Sequence, residues 1–364
     1  MLDLGSVPRS DIFPDEHDPG PDPSWPLELY MCPECALVQL GPFGPLAVDE
    51  QGAVESATGR AHATQSVEAI LRHEGLGERN TVIEIDSGHG GSWLPGFEAA
   101  GLLPLEPHLT ADLVVDLHGL MHEQDLGAAV AAHAARVAPG GRLICEFYYL
   151  GALVEGSLID TIRHGHFSYL SLVAASRVFA ANGLVVCRAE RVPMFGGSLR
   201  LTARHEADVV AIDDSVAELF RIERASNFDG RSALAALGDR GRAAALALRE
   251  VLASATERGV SIAGYGAPSK AAVLLALAGV DATLLPYTVD LAPAKHGSRI
   301  PGAFVPIRPV ETLVDDDPDE VVVLTWDIAD EVIGQLTGMA SGTNWKPQFW
   351  VPLPVPGYVS VRSD

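Results

Sequence analysis

A glycine-rich loop followed at a distance by an acid is the clearest chemical signature in this sequence. The loop spans 264–270 and reads Gly-Tyr-Gly-Ala-Pro-Ser-Lys, and Asp290 lies about twenty residues beyond it. Between a strand and a helix, such a loop brings backbone N–H groups to a phosphate, and an acid ending the next strand can bind ribose hydroxyls. Lys270 and Lys295 add positive charge, and the chain has only three lysines. The pattern favours phosphate or nucleotide binding over a purely structural strand–turn–helix.

Two histidines one residue apart could supply acid–base chemistry. Arg163, His164, Gly165 and His166 are consecutive. Imidazole titrates near neutral pH and is suited to proton abstraction, and a neighbouring guanidinium would keep His166 neutral and basic. Arg163 could also stabilise a developing oxyanion. A surface His-x-His without a role, or an incidental metal pair, explains these residues equally well.

Other histidines and one glycine turn are weaker candidates. His118 and His122 follow a predicted strand, and Gly196, Gly197 and Ser198 predict a turn whose backbone approaches another group closely. The remaining histidines considered are interpreted as surface or core residues: His17, His62, His73, His133 and His205.

Residues 82–91 end a predicted strand in a turn with closely spaced glycines. Class I S-adenosylmethionine (SAM) enzymes place an acid-x-Gly-x-Gly-x-Gly turn there, because glycine lets the backbone pass close to the cofactor. Glu84, Gly88 and Gly90 match this pattern, whereas Asp86 replaces the first glycine. Glu106, ending the next predicted strand, could bind ribose hydroxyls. A structural strand–turn–helix is nearly as consistent with this segment.

The pair Cys32 and Cys35 has the spacing of half a zinc site. A structural zinc ion needs four ligands, and zinc ribbons bring two such pairs. Cys145 and Cys187 lie in apolar segments and are interpreted as buried thiols. His17 and nearby carboxylates could complete a site, but a chain without zinc is the favoured interpretation.

Short apolar strands and amphipathic helices alternate along the chain, and they must position these residues. This alternation predicts a parallel, doubly wound α/β fold. Residues 1–45 are rich in Pro, Asp and Glu and are expected to be irregular, and 206–257 has a long helical pattern. The predicted strands are 81–85, 102–106, 112–117, 142–149 and 184–192, with helices at 124–137 and 171–182 and a second strand–helix series from 258.

Composition excludes several classes of function. The chain has 364 residues, 48% of them hydrophobic, and a net charge of −23. Nucleic acids and anionic membranes both require a basic face, so neither is an expected partner. No apolar run reaches the length of a membrane span, the N-terminus lacks a signal-peptide core, and four scattered cysteines do not form a disulfide framework. A cytoplasmic location is expected, and the oligomeric state is not predicted.

These motifs occur in the same order in one family. The chain resembles the SAM-dependent C-methyltransferases that act on nucleotide-linked keto-deoxysugars in antibiotic biosynthesis. The resemblance covers nearly the whole chain and is most specific at its C-terminal end. It rests on the following segments: 26–30, 32–40, 82–91, His122, 163–166, 196–200, 264–270, 289–297, 300–302, 306–307 and the strand ending at Trp326.

The resemblance implies a small N-terminal domain at 1–50, which is similar to the second half of a zinc domain. It implies a class I methyltransferase domain at 51–205, a helical connector at 206–257 and a second Rossmann-like domain at 258–364. SAM is the implied cofactor, and the implied substrate is a small nucleotide-linked molecule.

The resemblance also implies roles for individual residues. A histidine at the position of His166 removes the acidic proton beside the keto group, and the resulting enolate attacks the methyl group of SAM. His122 assists or positions it, with Arg163 and His164 in the same block. The residues implied near the substrate and its nucleotide are Gly197, Ser198, Tyr265, Ser269, Lys270, Asp290 and Lys295.

The departures from the family leave alternatives open. The first Cys-x-x-Cys is absent, Asp86 replaces a glycine, and the usual Tyr-His-Glu-His block is Arg-His-Gly-His at 163–166. The segment between Glu106 and His118 is shorter than usual, and the usual tyrosine-rich stretch has become 55–62. The alternatives are an enzyme of the same fold that transfers protons without methylation, and a non-catalytic binding protein.

Overall fold

The computed structural model describes residues 1–42, 54–85, 91–226 and 231–359. Its strands are, in chain order, β1 (Leu2–Pro8), β2 (Ser24–Met31), β3 (Val38–Leu40), β4 (Thr81–Ile85), β5 (Leu103–Pro104), β6 (Ala111–Leu117), β7 (Val137–Tyr148), β8 (Ser168–Tyr169), β9 (Leu184–Val192), β10 (Ser198–His205), β11 (Ile262–Tyr265), β12 (Thr288–Val289), β13 (Arg299–Ile300), β14 (Val305–Arg308), β15 (Glu320–Val323), β16 (Gln348–Val351) and β17 (Gly357–Val359).

The α-helices connect these strands. They are α1 (Ala57–Glu74), α2 (Leu94–Ala99), α3 (Leu126–Ala134), α4 (Leu150–Gly156), α5 (Leu172–Ala181), α6 (Asp214–Ser226), α7 (Arg231–Arg258), α8 (Ser269–Ala278), α9 (Thr312–Asp316) and α10 (Ala329–Ala340). Among the residues with described structure, no helix is both long enough and apolar enough to cross a membrane.

A six-stranded sheet forms the centre of the first half, in the order β5-β4-β6-β7-β10-β9. The pairs from β5 to β7 are parallel, whereas β10 runs antiparallel to both β7 and β9. The expected parallel sheet is therefore mixed at one edge. Since parallel strands end at the same edge of a sheet, the carboxyl ends of β4, β6 and β7 lie close together.

A second sheet in the C-terminal part has the order β13-β14-β12-β11-β15-β16-β17. Its strands from β14 to β16 are parallel, and antiparallel strands close both edges. Helix α7 packs against α8, α4 and β1, so this long helix joins the two halves through apolar contacts. Its buried positions include Leu237, Leu248 and Leu252, which repeat on one helix face.

The N-terminal segment, which was expected to be irregular, contributes three strands to a small antiparallel sheet. Its order is β1-β2-β3-β8, and Leu27 and Leu29 alternate into the core along β2. The last strand, β8, comes from the middle of the chain and directly follows the histidine segment 163–166. The pairing of β8 with β3 therefore anchors the histidine segment to the small sheet. This pairing joins distant parts of the chain, and no local sequence pattern predicts it.

Candidate active site

A cavity of about 790 Å³ lies between the six-stranded and the seven-stranded sheet. Its walls include residues at the carboxyl ends of strands from both sheets, the place where α/β folds bind ligands. The first sheet contributes Leu117 and Tyr148, and the second contributes Tyr265 and Asp290. The cavity thus collects residues that lie far apart in sequence.

His166 lines this cavity, and its ring is oriented by the backbone. Its Nδ1 lies 2.9 Å from the carbonyl oxygen of Thr161, so we assign the proton to Nδ1 and the basic lone pair to Nε2. The ring also contacts Tyr148, with centroids 5.4 Å apart. Arg163 lines the same cavity although it is only 4% exposed. The predicted base and a guanidinium are therefore brought together.

His122 and His164 occupy different positions from His166. His122 packs edge-on against the His166 ring at 5.0 Å, and its Nδ1 donates to the carbonyl of Gly165 over 2.9 Å. His164 turns away from the cavity, because its Nε2 donates to the carbonyl of Pro26 over 3.1 Å. Burial lowers the pKa of His164. The structure thus places His122 beside His166, and His164 against β2.

His118 also lines the cavity, and aromatic rings hold its imidazole in place. Its ring packs between Tyr148 and Phe195, at 5.3 and 5.0 Å. Burial lowers the pKa of His118 to about 4, so it is neutral at physiological pH. Ser198 donates its hydroxyl proton to the carbonyl of Met194, and it accepts from Nε2 of His118 at 3.2 Å.

Gly197 and Ser198 support the site without lining the cavity. The N–H of Gly197 donates to Met194, and its carbonyl accepts from the N–H of Tyr149. The predicted close approach of this turn is thus to the chain itself, at the start of β10.

A buried charged network, which sequence reasoning missed, lies on the α1 wall of the cavity. His62 Nε2 is 2.6 Å from Glu146 Oε1, and Arg200 donates Nε and Nη2 to Glu146 Oε2 at 2.9 and 2.8 Å. Burial favours the neutral form of Glu146, but the His62 hydrogen bond and the Arg200 charge hold its pKa at about 2. One signal was available, since Glu146 interrupts the apolar run at 143–149.

The segment predicted to bind the methyl donor is described only in part. Asp86, Gly88 and Gly90 lie outside the described residues. Glu84 accepts hydrogen bonds from the N–H groups of Trp93 and Leu94, at 2.7 and 3.0 Å, at the start of α2.

The end of this segment reaches the cavity. Gly91 and Trp93 both line it, whereas Glu106 is exposed outside it. Gly91 has φ +77°, and a Cβ there would meet a Glu55 carboxylate oxygen at 2.8 Å. The positive φ of Gly91 therefore favours glycine at this point of the wall, whereas the Glu55 carboxylate ends a flexible side chain that can move.

The glycine loop forms the opposite wall and opens onto the N-terminus of α8. Gly266 has φ +94°, and a Cβ there would lie 2.6 Å from Thr325 Cγ2, so glycine is required. Ser269 begins α8 and lines the cavity, and Pro268 before it provides no side-chain cap. Tyr265 also lines the wall and donates its hydroxyl to Gln335 over 2.9 Å. A helix N-terminus facing a cavity favours anions.

Both predicted lysines line this wall, and each already has an acidic partner. Lys270 pairs with Asp327 and lies 4.3 Å above the Trp326 ring. Lys295 donates to the carbonyl of Ala267 over 2.9 Å and lies 3.6 Å from Asp290. These contacts hold the two ammonium groups at the cavity edge.

Asp290 binds the loop itself. Its two oxygens accept from the N–H groups of Ala267 and Ala292, at 2.7 and 2.8 Å. The acid predicted to hold a ribose thus also organises the phosphate loop, although it remains among the cavity residues.

A second feature missed at the sequence level connects the two halves behind Lys270. The Trp326 indole donates to the fully buried carboxylate of Asp160 over 2.7 Å. Burial raises the pKa of Asp160 to about 6. Asp160 precedes Thr161, which orients His166, so this contact links the lysine wall to the histidine wall.

Cys32 and Cys35 flank the turn between β2 and β3, away from the cavity. Hydrogen bonds from the N–H groups of Cys35 and Glu34 lower the pKa of the Cys32 thiol. Across the described ranges, no group of three or more His, Cys, Asp or Glu side chains is placed to hold a metal ion.

Residues 193–354 match the family model described as C-methyltransferase C-terminal domain. Over 406 aligned residues the chain is 26% identical to C-methyltransferase NovU of Streptomyces niveus. That alignment covers 100% of this chain and 94% of the relative. The resemblance stated from the sequence motifs is confirmed by both matches.

Solved methyltransferase structures align with part of the chain. Magnesium protoporphyrin IX methyltransferase from Synechocystis PCC 6803, with bound S-adenosylhomocysteine, is 15% identical with a TM-score of 0.30. N-methyltransferase NodS from Bradyrhizobium japonicum WM9, in complex with the same molecule, is 13% identical with a TM-score of 0.32. Each alignment covers 42% of this chain and 89% of the other.

Proposed function

We propose that this chain, whose residues 193–354 match the model of a C-methyltransferase C-terminal domain, transfers a methyl group from SAM to a carbon beside the carbonyl of a nucleotide-linked keto sugar. The observation that carries the proposal is the shared cavity, which His166 lines together with Lys270 and the N-terminus of α8. A proton acceptor and a phosphate-binding wall at one cavity suit a substrate with a reactive ketone at one end and a diphosphate at the other.

The described residues fit the methyl donor on the first-sheet side of the cavity. Gly91, Trp93 and Leu117 form the wall there, and Gly91, with φ +77°, brings the backbone to the cavity without a side chain. When bound, SAM supplies an electrophilic methyl group. Excluding water from a cavity between two sheets strengthens the electrostatic interactions inside it.

His166 is suited to removing the proton beside the ketone. Its Nδ1–H is held by the Thr161 carbonyl, which leaves Nε2 as the basic atom. Deprotonation places negative charge on the ketone oxygen, and the Arg163 guanidinium in the same cavity stabilises that charge. His122 packs on the His166 ring and limits its rotation.

Methyl transfer can be tested directly. The purified protein is incubated with SAM and a thymidine diphosphate-linked 4-keto-6-deoxyglucose, and the sugar is analysed by mass spectrometry and NMR. We expect one added methyl group on a carbon next to the ketone, and none when SAM is omitted. Calorimetric titration with S-adenosylhomocysteine gives a second readout, and no binding at millimolar concentration would contradict the proposal.

The contacts of Glu84 favour a second candidate function, proton transfer without methylation by an enzyme of the same fold. Its carboxylate is engaged by the start of α2, while Glu106 is exposed outside the cavity. An enzyme with a weakened donor site could still use His166 and Arg163 for proton transfer. Conversion of the keto sugar without SAM, together with no binding of S-adenosylhomocysteine, would favour this second candidate.

Replacing Lys270 by methionine should weaken binding of thymidine diphosphate by about 10- to 100-fold. Methionine retains much of the packing on Trp326 but has no ammonium group. It therefore loses the charge-assisted hydrogen bond to a phosphate that we propose for Lys270, and such a bond contributes about 1.5–3 kcal/mol. The measurement is calorimetric titration with the nucleotide alone. Lys346→Met is the matched control, because Lys346 is exposed and lies outside the cavity. Equal affinity of the two variants would remove Lys270 from the nucleotide site.

A further inference from the structure

His62 and Glu146 have the geometry of an acid–base pair on a different wall from His166. His62 lies on α1, lines the cavity, and its side chain is 15% exposed. Ser56 caps α1 by accepting from the N–H of Gly59, so the helix turn that carries His62 is well supported. Glu146, near the end of β7, is 1% exposed.

The protonation pattern of this pair follows from its contacts. Glu146 is ionised, so its Oε1 only accepts, and the 2.6 Å contact places the proton on Nε2 of His62. Nδ1 then carries the basic lone pair. Among residues with described positions, none forms a hydrogen bond to Nδ1 of His62. The basic edge of the ring therefore remains available to a molecule in the cavity.

The negative charge of Glu146 does not need His62 to balance it. Arg200 already donates two N–H groups to Oε2 of Glu146 and is 5% exposed, so the carboxylate has a buried cationic partner. Addition of a proton to His62 would create an imidazolium that Glu146 stabilises, as a buried carboxylate does for the histidine of hydrolase triads. The pair thus combines orientation, basicity and access to the cavity.

His118, the other histidine nearby, is unsuited to this chemistry. It is 4% exposed, its Nε2 is held by Ser198, and desolvation keeps it neutral down to acidic pH. A group with so low a pKa is a weak base. Of the two histidines on this side, His62 is therefore the one that lines the cavity with a ring nitrogen left over from its hydrogen bond to Glu146.

We propose that His62, oriented by Glu146, is a second acid–base residue that removes and returns a proton at a carbon beside the ketone of the bound substrate, without needing the methyl donor. The inference rests on the proposed function for the ketone. Nδ1 takes the proton, the C–H electron pair forms the enolate double bond, and the negative charge moves to the carbonyl oxygen. Return of a proton from Nδ1 to carbon restores the ketone, so nothing is oxidised or reduced.

The test is hydrogen exchange in heavy water without SAM. The probe is the thymidine diphosphate-linked 4-keto-6-deoxyglucose, and NMR follows the hydrogens on both carbons next to the ketone. Wild-type protein should exchange at least one of them faster than a protein-free sample. His62→Gln, which keeps an N–H donor for Glu146, should lower exchange at one position by about 100-fold or more. His73→Gln is the control, because His73 is exposed on the same helix.

Chemical rescue separates catalysis from a structural role. Imidazole added to His62→Ala should restore much of the lost exchange, whereas a folding defect would not respond. Exchange in His62→Gln equal to wild type, or no exchange in wild type, overturns the inference. The SAM-dependent assay tests the proposed methylation separately. If His62→Gln leaves both methyl transfer and hydrogen exchange unchanged, only the inference about His62 is overturned. Exchange that needs His62 in a protein without methyl transfer overturns only the proposed methylation.

Discussion

Replacement of His166 by glutamine is expected to lower the rate of methyl transfer by about 10²- to 10⁴-fold, the range typical of a lost general base. Glutamine fills much of the space of the imidazole, but its amide lies at the position of Nε2, so the hydrogen bond from Nδ1 to the Thr161 carbonyl is lost with the base. It has no basic nitrogen for the substrate proton. The loss should therefore fall on kcat, while affinity for thymidine diphosphate, measured by calorimetry, stays close to that of the wild type.

His108→Gln is the control for this variant, because His108 is exposed and lies outside the cavity. Its kcat should match the wild type. If His166→Gln keeps kcat within about twofold, His166 is not the base. If kcat falls together with nucleotide affinity, the substitution has disturbed the interface between the two walls, and the role of His166 as base is unsupported.

The central elements of the fold were predictable because their patterns are local. β4 and β9 have the predicted bounds 81–85 and 184–192, and α5 lies within the predicted helix 171–182. The α/β class with two parallel-rich sheets is confirmed by the strand order. Apolar runs bounded by turn residues define such strands without reference to distant partners.

Long-range pairings were not predictable in the same way. β10 was not predicted as a strand, and it runs antiparallel between β7 and β9. β8 is only two residues long and gains its partner from β3, far away in the chain. The local sequence does not specify the direction or the partner of a strand. Both depend on which neighbouring strands bury its apolar side chains in the folded sheet.

In the candidate site, too, local motifs were predictable and long-range contacts were not. Lys270 and His166 could be assigned to one site only through the family resemblance, since they lie in different halves of the chain. His62 was missed because its partner Glu146 is 84 positions away, and a lone histidine on a helix carries no spacing signal. Conversely, Glu84 matched a motif by position, but its contacts are to the backbone of α2. Motif position predicts location better than it predicts what a side chain touches.

Replacing Arg200 by methionine is expected to destabilise the fold by about 3–5 kcal/mol, the range for breaking a buried ion pair. The change removes two hydrogen bonds to Glu146, whose carboxylate is 1% exposed and keeps its hydrogen bond to His62. Urea denaturation followed by circular dichroism measures the effect. Arg191→Met is the matched control: its partnership with Glu155 is about 40% exposed on both sides, so it should cost less than about 1 kcal/mol.

The pH dependence of stability distinguishes a lost ion pair from lost packing. The pKa of Glu146 falls from 4.5 to about 2 on folding, so its stabilising contribution is complete above pH 4.5 and disappears as the pH falls toward 2. That shift corresponds to about 3 kcal/mol. Wild-type protein should therefore lose stability more steeply than Arg200→Met below pH 4.5, and the two curves should converge near pH 2. Parallel curves would mean that Arg200 stabilises the fold through its packing on Trp93, with the charge of Glu146 contributing little.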